Sequence, residues 1–135
     1  MGFEAERLAI VSKFDAEWAA WAGRPKVVYD NMRFTPTPGE TYLRLSVQNT
    51  GSRVAGYGTT PTYRWYGIVL IAVFVPENTG SKTALEWLDE AAAIFRNTQV
   101  ADITFNASYQ PSVEMLVNGW YKRTIAIPFW RDGAN

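Results

Sequence analysis

The sequence predicts an α+β fold, in which a mixed, mostly antiparallel β-sheet of about five to six strands carries two helices on one face. Two segments with the apolar spacing of helices, several strand-like segments and one Asn-Gly turn signal support this prediction. The expected order of elements is α-β-β-β-α-β-β-β, within one domain covering residues 1–135. A chain of 135 residues has the usual size for one hydrophobic core.

The two predicted helices cover residues 3–22 and 82–96. Gly23 ends the first helix, and the second is expected to begin at a cap formed by Ser81 or by Thr83, which opens a capping-box motif. Their apolar residues recur every three or four positions, as on one helix face. The expected buried residues are Leu8, Val11, Phe14, Trp18 and Trp21 in the first helix, and Leu88, Ala91 and Phe95 in the second.

The predicted strands are short segments rich in β-branched and aromatic residues. They cover residues 26–29, 42–48, 63–75, 103–105, 113–117 and 120–129. The last two are joined by Asn118-Gly119, which is a strong signal for a hairpin with a two-residue turn.

The strand at residues 63–75 is apolar on both faces, whereas an antiparallel sheet usually shows one face to water. One face holds Val69, Ile71, Val73 and Val75, and the other holds Ile68, Leu70, Ala72 and Phe74. The two helices can cover only one of these faces. The second face therefore needs either a neighbouring subunit or a strongly curled sheet.

Two segments have the composition of loops, residues 30–39 and residues 49–62. The second segment contains Gly51, Gly56 and Gly58 and few residues that could be buried, so it predicts a mobile loop. If its flanking strands pair as a hairpin, the loop projects from the sheet as an arm. We call residues 49–62 the arm throughout.

The composition excludes several classes of function. Thirteen Lys and Arg balance thirteen Asp and Glu, which argues against nucleic acid as the primary ligand. The chain has no Cys and no His, so it lacks thiol nucleophiles, the commonest metal ligand and the usual general base. Its most apolar segment, residues 66–75, is about half the length of a membrane helix. An acidic N-terminal segment indicates neither export nor lipidation.

No constellation of residues predicts catalysis, a cofactor site or a metal site. Asp89 and Glu90 are adjacent on a predicted helix, where neighbouring side chains diverge by about 100°. A hydrolase built on two distant carboxylates stays open as an alternative. A second alternative is a carbohydrate- or nucleic-acid-binding module, because basic and aromatic residues alternate near the arm. These residues are Arg53, Tyr57, Tyr63, Arg64 and Trp65.

Several segments, taken in order, resemble the tail-terminator family of long-tailed bacteriophages, also called tail completion or minor tail proteins. They are residues 14–18, 28–36, 42–47, 71–76, 84–96, 119–121 and 127–131. The resemblance extends over most of the chain and rests on the order and spacing of these segments. It carries no catalytic motif.

The resemblance implies a structural protein that forms a ring, of about six copies, on the head-proximal end of the tail tube. Such a ring stops tube polymerisation and docks the head connector. The implied partners are other copies of the chain, the tail tube protein and a connector or neck protein, with no membrane and no specific nucleic acid, although genomic DNA can pass through the ring. The implied location is the virion tail, assembled in the host cytoplasm without secretion. A head-completion or neck ring protein is the alternative within the same class.

We expect the contacts of such a ring to lie on two segments. The arm is expected to contact the tube or the ring lumen, and the loop of residues 30–39 is a second contact surface. The candidate assembly contacts are Arg53, Val54, Tyr57 and Arg64 in and beside the arm, and Arg33, Phe34 and Thr35 in the loop.

Overall fold

A computed structural model describes residues 1–20, 23–30, 32–96, 98–111, 115–117 and 119–133. Two helices and seven strands are present in this part of the chain. The helices are α1 (Phe3–Ala19) and α2 (Lys82–Phe95). The strands are β1 (Lys26–Tyr29), β2 (Tyr42–Gly56), β3 (Thr62–Pro76), β4 (Gln99–Val100), β5 (Ile103–Phe105), β6 (Met115–Val117) and β7 (Trp120–Gly133). The predicted α+β class and the order helix, strands, helix, strands are confirmed, and the two-residue strand β4 is the one described strand that the sequence did not predict.

The strands form one mixed sheet in the order β1-β2-β3-β7-β5-β4, with β6 paired to β7. Only the contact of β1 with β2 is parallel among the described pairs. Val117 pairs with Trp120, and Gly119 has a φ of +88°, as the predicted two-residue hairpin turn requires. The other turn residue, Asn118, and residues 113–114 of the predicted strand lie outside the described residues.

Both helices pack on one face of the sheet, which we call the helix face. The main hydrophobic core lies there, between the helices and the side chains of β2, β3, β5 and β7. Phe14 of α1 stacks on Phe95 of α2, with 6.0 Å between ring centroids, and both side chains are buried. The opposite side is the open face. It has a smaller buried cluster of Val28, Tyr42, Ala72 and Phe74.

The predicted buried stripe of α1 is wrong in part. Leu8 is 53% exposed and Val11 is half-buried, while the buried positions are Glu6, Ile10, Phe14 and Trp18. These four residues lie four positions apart and form one narrow stripe. The helix also ends at Ala19 and not at residue 22, and Trp21 lies outside the described residues.

The predicted cap of α2 is also only partly correct. Ser81 occupies the N-cap position, but its side chain makes no capping hydrogen bond, and Thr83 lies inside the helix. The helix instead begins with a backbone hydrogen bond from the Leu85 N–H to the Ser81 carbonyl, 2.9 Å long.

The prediction of a mobile loop at residues 49–62 is wrong. Strand β2 continues to Gly56 and β3 begins at Thr62, so most of the arm is an antiparallel hairpin. Two irregularities in the register, at Asn49/Gly51 and at Val54/Gly56, accommodate the glycines within the ladder. The backbone hydrogen bonds of the ladder order a segment whose side chains bury little.

The second apolar face of β3 is partly covered by its own chain. Ala72 and Phe74 are buried on the open face, where Phe34 and Trp120 pack against them. Further toward the arm, Ile68 and Leu70 are half-buried. The side chains of β3 on the open face are thus fully covered within the subunit at one end and only partly covered toward the arm.

Candidate assembly surface

The arm is a protruding hairpin that ends in an unprotected aromatic side chain. Tyr57 is 95% exposed, and it lies between Gly56 and Gly58, which have no side chains to cover it. Val54, which is 42% exposed, is a second large apolar side chain that the arm presents to solvent. The arm therefore offers a contact surface that no described part of the same subunit covers.

A buried ion pair fixes the base of the arm to α1 and to β7. The Arg131 guanidinium donates to the Glu6 carboxylate, and each of the two side chains is 1% exposed. The Asn49 side-chain amide donates to the other oxygen of Glu6, and Arg131 also donates to the Met1 carbonyl at 2.9 Å. One buried carboxylate thus connects the first turn of α1, the end of β7 and the residue where the arm begins.

Aromatic rings close this ion pair from the outside. Phe3 and Trp65 meet edge to face with 5.7 Å between centroids, and the Arg131 guanidinium lies 5.4 Å from the Trp65 ring centre. The Trp65 indole N–H also points to the Gly133 carbonyl at 3.4 Å. The hydrogen bonds and ring contacts restrict how the arm can tilt relative to the helices.

Arg53 and Arg64 lie opposite each other in the ladder of the hairpin, on the open face. Arg64 donates two hydrogen bonds to Asp132, at 2.8 and 3.0 Å, and lies 4.1 Å from the Trp130 ring centre. The hydrogen bond from Arg64 holds the pKa of Asp132 below its ordinary value. Arg53 lies 5.6 Å from the ring centre of Tyr66. Arg64 is thus engaged within its own subunit, while Arg53 has a single stacking contact in the described structure.

The predicted loop contacts, Arg33, Phe34 and Thr35, lie at the opposite end of the β2–β3 hairpin from the arm tip. Phe34 packs on Tyr42 with 4.9 Å between ring centroids, and Lys26 lies 5.1 Å from the Phe34 ring centre. Arg33 and Thr35 are exposed and line a shallow depression of about 420 Å³ with Phe34. Phe34 is therefore mainly a packing residue, and Arg33 and Thr35 are the accessible members.

A second, larger depression adjoins this loop on the open face. It has a volume of about 540 Å³ and is lined by proline, glycine and aromatic residues. We call it the aromatic–proline groove. Its lining residues are Pro36, Pro38, Gly39, Tyr42, Phe74, Pro76, Gly119 and Trp120.

The aromatic side chains of this groove form a fixed stack. Tyr42 is stacked on Phe74 with 4.6 Å between centroids and meets Trp120 edge to face at 5.3 Å. Burial raises the pKa of the Tyr42 phenol, although the charge of Arg44 opposes this. Sequence reasoning missed the groove because its lining comes from three distant segments. In the sequence, the proline and glycine residues near positions 36–39 and 119 indicate only turns.

The structure does not support a stacking platform for bases or sugars. Because strand side chains alternate, Arg53, Arg64 and Tyr66 share the open face, while Tyr63 and Trp65 lie on the helix face. The basic and aromatic residues that alternate in sequence are therefore divided between two sides of the sheet. Within the described residues, no group of three side chains has the composition of a metal site, and no helix is long and apolar enough to cross a bilayer.

An exposed aromatic tip on the arm and an aromatic groove on the open face are features typical of subunits that contact other proteins. Comparison with known families agrees with this class. The family model described as phage tail terminator protein matches residues 7–129, so the chain belongs to the phage tail terminator family and has a structural role in phage tail assembly.

A solved structure whose name states no function has the same fold. It superposes with a TM-score of 0.71, covers 97% of this chain and 96% of its own, and is 19% identical in sequence. No curated protein matches this sequence significantly.

Proposed function

We propose that the protein forms a ring of about six copies on the head-proximal end of the phage tail tube. There it stops polymerisation of the tube and provides the surface to which the head connector docks. Its partners are further copies of the same chain, the tail tube protein and a connector or neck protein, and it is a component of the virion tail assembled in the host cytoplasm.

One observation carries this proposal beyond the family assignment. The subunit has two different surface features, the exposed arm and the loop with its groove, at opposite ends of the β2–β3 hairpin. A ring that closes by rotation needs two different surfaces on each subunit, because every contact joins one surface to the other. A two-fold dimer needs only one self-complementary surface.

The tail-length distribution of the parent phage tests the proposal. Inactivation of the gene is expected to give tails of variable and excessive length without attached heads, because nothing stops the tube. A plasmid copy of the gene is the control and should restore one uniform length. Tails of normal length that fail only to join heads would contradict the capping role and favour a neck protein.

A further inference from the structure

The arm tip and the aromatic–proline groove are both uncharged and rich in apolar groups, and they lie at opposite ends of the β2–β3 hairpin. We propose that the arm tip of one copy docks in the aromatic–proline groove of the next copy, with Tyr57 as its anchor. This assignment rests on the proposed ring and names the contact that joins its subunits.

The separation between the arm tip and the groove within one subunit requires this contact to join two subunits. In the register of the hairpin, Tyr42 pairs with Phe74 at the groove, and Gly56 pairs with Thr62 near the tip. Fourteen residues of extended strand separate these levels along β2, which corresponds to about 45 Å. The base of the arm is held by the buried Glu6–Arg131 pair. Tyr57 therefore cannot reach the groove of its own subunit.

The chemistry of the two surfaces matches. Tyr57 is the most exposed of the large apolar side chains in the described residues, and it presents both faces of its ring. The groove offers aromatic rings and prolines, which are rigid and lose little conformational freedom when a partner binds. A tyrosine that enters such a pocket is a typical anchor of a protein interface.

The charge distribution favours the same contact. Apart from the phenols of Tyr57 and Tyr42, neither residues 54–62 at the end of the arm nor the lining of the groove contains an ionisable side chain, so docking buries no unpaired charge. The exposed acids Glu40 and Glu77 flank the groove in sequence, and Arg53, four residues before Tyr57, supplies the opposite charge. Lys122 adds a positive charge 5.7 Å from the Phe74 ring centre, so the charge match with Arg53 rests on the two acids.

The expected size of the effect follows from the area involved. One aromatic side chain buries on the order of 150–250 Å², whereas a stable interface needs about 800 Å² on each partner. The arm tip is therefore one anchor within a larger interface. Replacing Tyr57 by Ser should weaken association at least about 30-fold, as for an interface hot spot, without changing the fold of the subunit.

Engineered thiols test the contact directly, because the chain contains no Cys. Two single variants, Thr59→Cys, which leaves Tyr57 in place, and Pro38→Cys, are purified, mixed at increasing concentration and oxidised. The control pairs Thr59→Cys with Asp89→Cys, which lies exposed on α2, away from the groove. The expected result is a crosslinked dimer from the Thr59→Cys and Pro38→Cys mixture at concentrations where the control mixture gives at least about tenfold less.

Equal yields from the two mixtures at every concentration overturn the proposal. So does preferential capture by added tail tubes, over the Pro38→Cys variant, of a Thr59→Cys variant labelled with a thiol-reactive crosslinker. The crosslinking of purified copies involves no tail tube, so its result is separate from tail capping. A crosslink without tail-length control refutes the proposed function alone, and normal tails made with Tyr57→Ser refute the docking contact alone.

Discussion

Replacement of Arg131 by Met is the perturbation whose effect on stability can be worked out most fully. The substitution keeps a long, unbranched side chain but removes the cation that pairs with Glu6, where both side chains are 1% exposed. It leaves a buried carboxylate that receives only the Asn49 amide among the described side-chain donors. Breaking a buried pair in this way costs about 3–5 kcal/mol, a large share of the ~5–15 kcal/mol that stabilises a typical domain.

Urea unfolding followed by circular dichroism measures this loss. For a slope of about 2 kcal/mol per molar urea, the unfolding midpoint should fall by roughly 2 M. Arg7→Met is the matched control, since it makes the same substitution in an exposed pair with Glu4, whose side chains are 46% and 73% exposed. It should leave the midpoint unchanged within error.

A double variant separates the loss of the pair from general damage to the core. Glu6→Leu combined with Arg131→Met removes both charges, so no carboxylate stays buried alone, and part of the lost stability should return. Two results would show that the Glu6–Arg131 pair does not support the fold in this way. One is a loss of less than about 1 kcal/mol of unfolding free energy in Arg131→Met, and the other is a double variant no more stable than that single variant.

Two further predictions concern other parts of the fold. Gly67→Ala should lower the unfolding free energy by about 1–3 kcal/mol, because the added Cβ would overlap the Phe129 ring, while Gly56→Ala, with space for a Cβ, should be nearly neutral in the same urea assay. If Gly67→Ala and Gly56→Ala lowered the unfolding free energy equally, the predicted overlap with Phe129 would be wrong. Burial, and secondarily the hydrogen bond to Asp15, raise the pKa of Tyr29 above its ordinary value of 10.0. The raised pKa means that folding favours the protonated Tyr29 phenol. The stability that this phenol contributes below pH ~10 is therefore lost as the pH rises through its pKa in the folded state. The urea midpoint measured from about pH 8 to pH 11 should therefore fall less steeply for Tyr29→Phe than for the wild type, and parallel curves would be the contrary result.

The elements with strong local signals could be predicted from the sequence. Helix α2, strand β3 and the Gly119 hairpin lie close to their expected positions because each has its own apolar period or turn residue. The error at Leu8 shows the limit of this approach. Spacings of three and four fit more than one face of a helix, and the sheet determines which face is buried.

The ion pair at the base of the arm and the order of the arm itself depend on contacts between residues that are distant in sequence. Glu6 and Arg131 lie 125 positions apart, and nothing in the sequence near either residue indicates an ion pair. The arm was expected to be mobile because its side chains bury little, but its order comes from backbone pairing with β3, which composition does not report. The positions of Tyr57 and Arg53 as exposed arm residues agree with expectation, while their role as assembly contacts stays a prediction.

The solution mass of the purified protein, measured by light scattering over a wide range of concentration, is the most direct test of the ring. If the copies form a closed ring, the mass should rise with concentration and stop at a fixed limit of about six copies. Tyr57→Ser should need a much higher concentration to reach the same limit. A mass that stays at one copy throughout, or that grows without a limit as in an open filament, would show that no such ring forms.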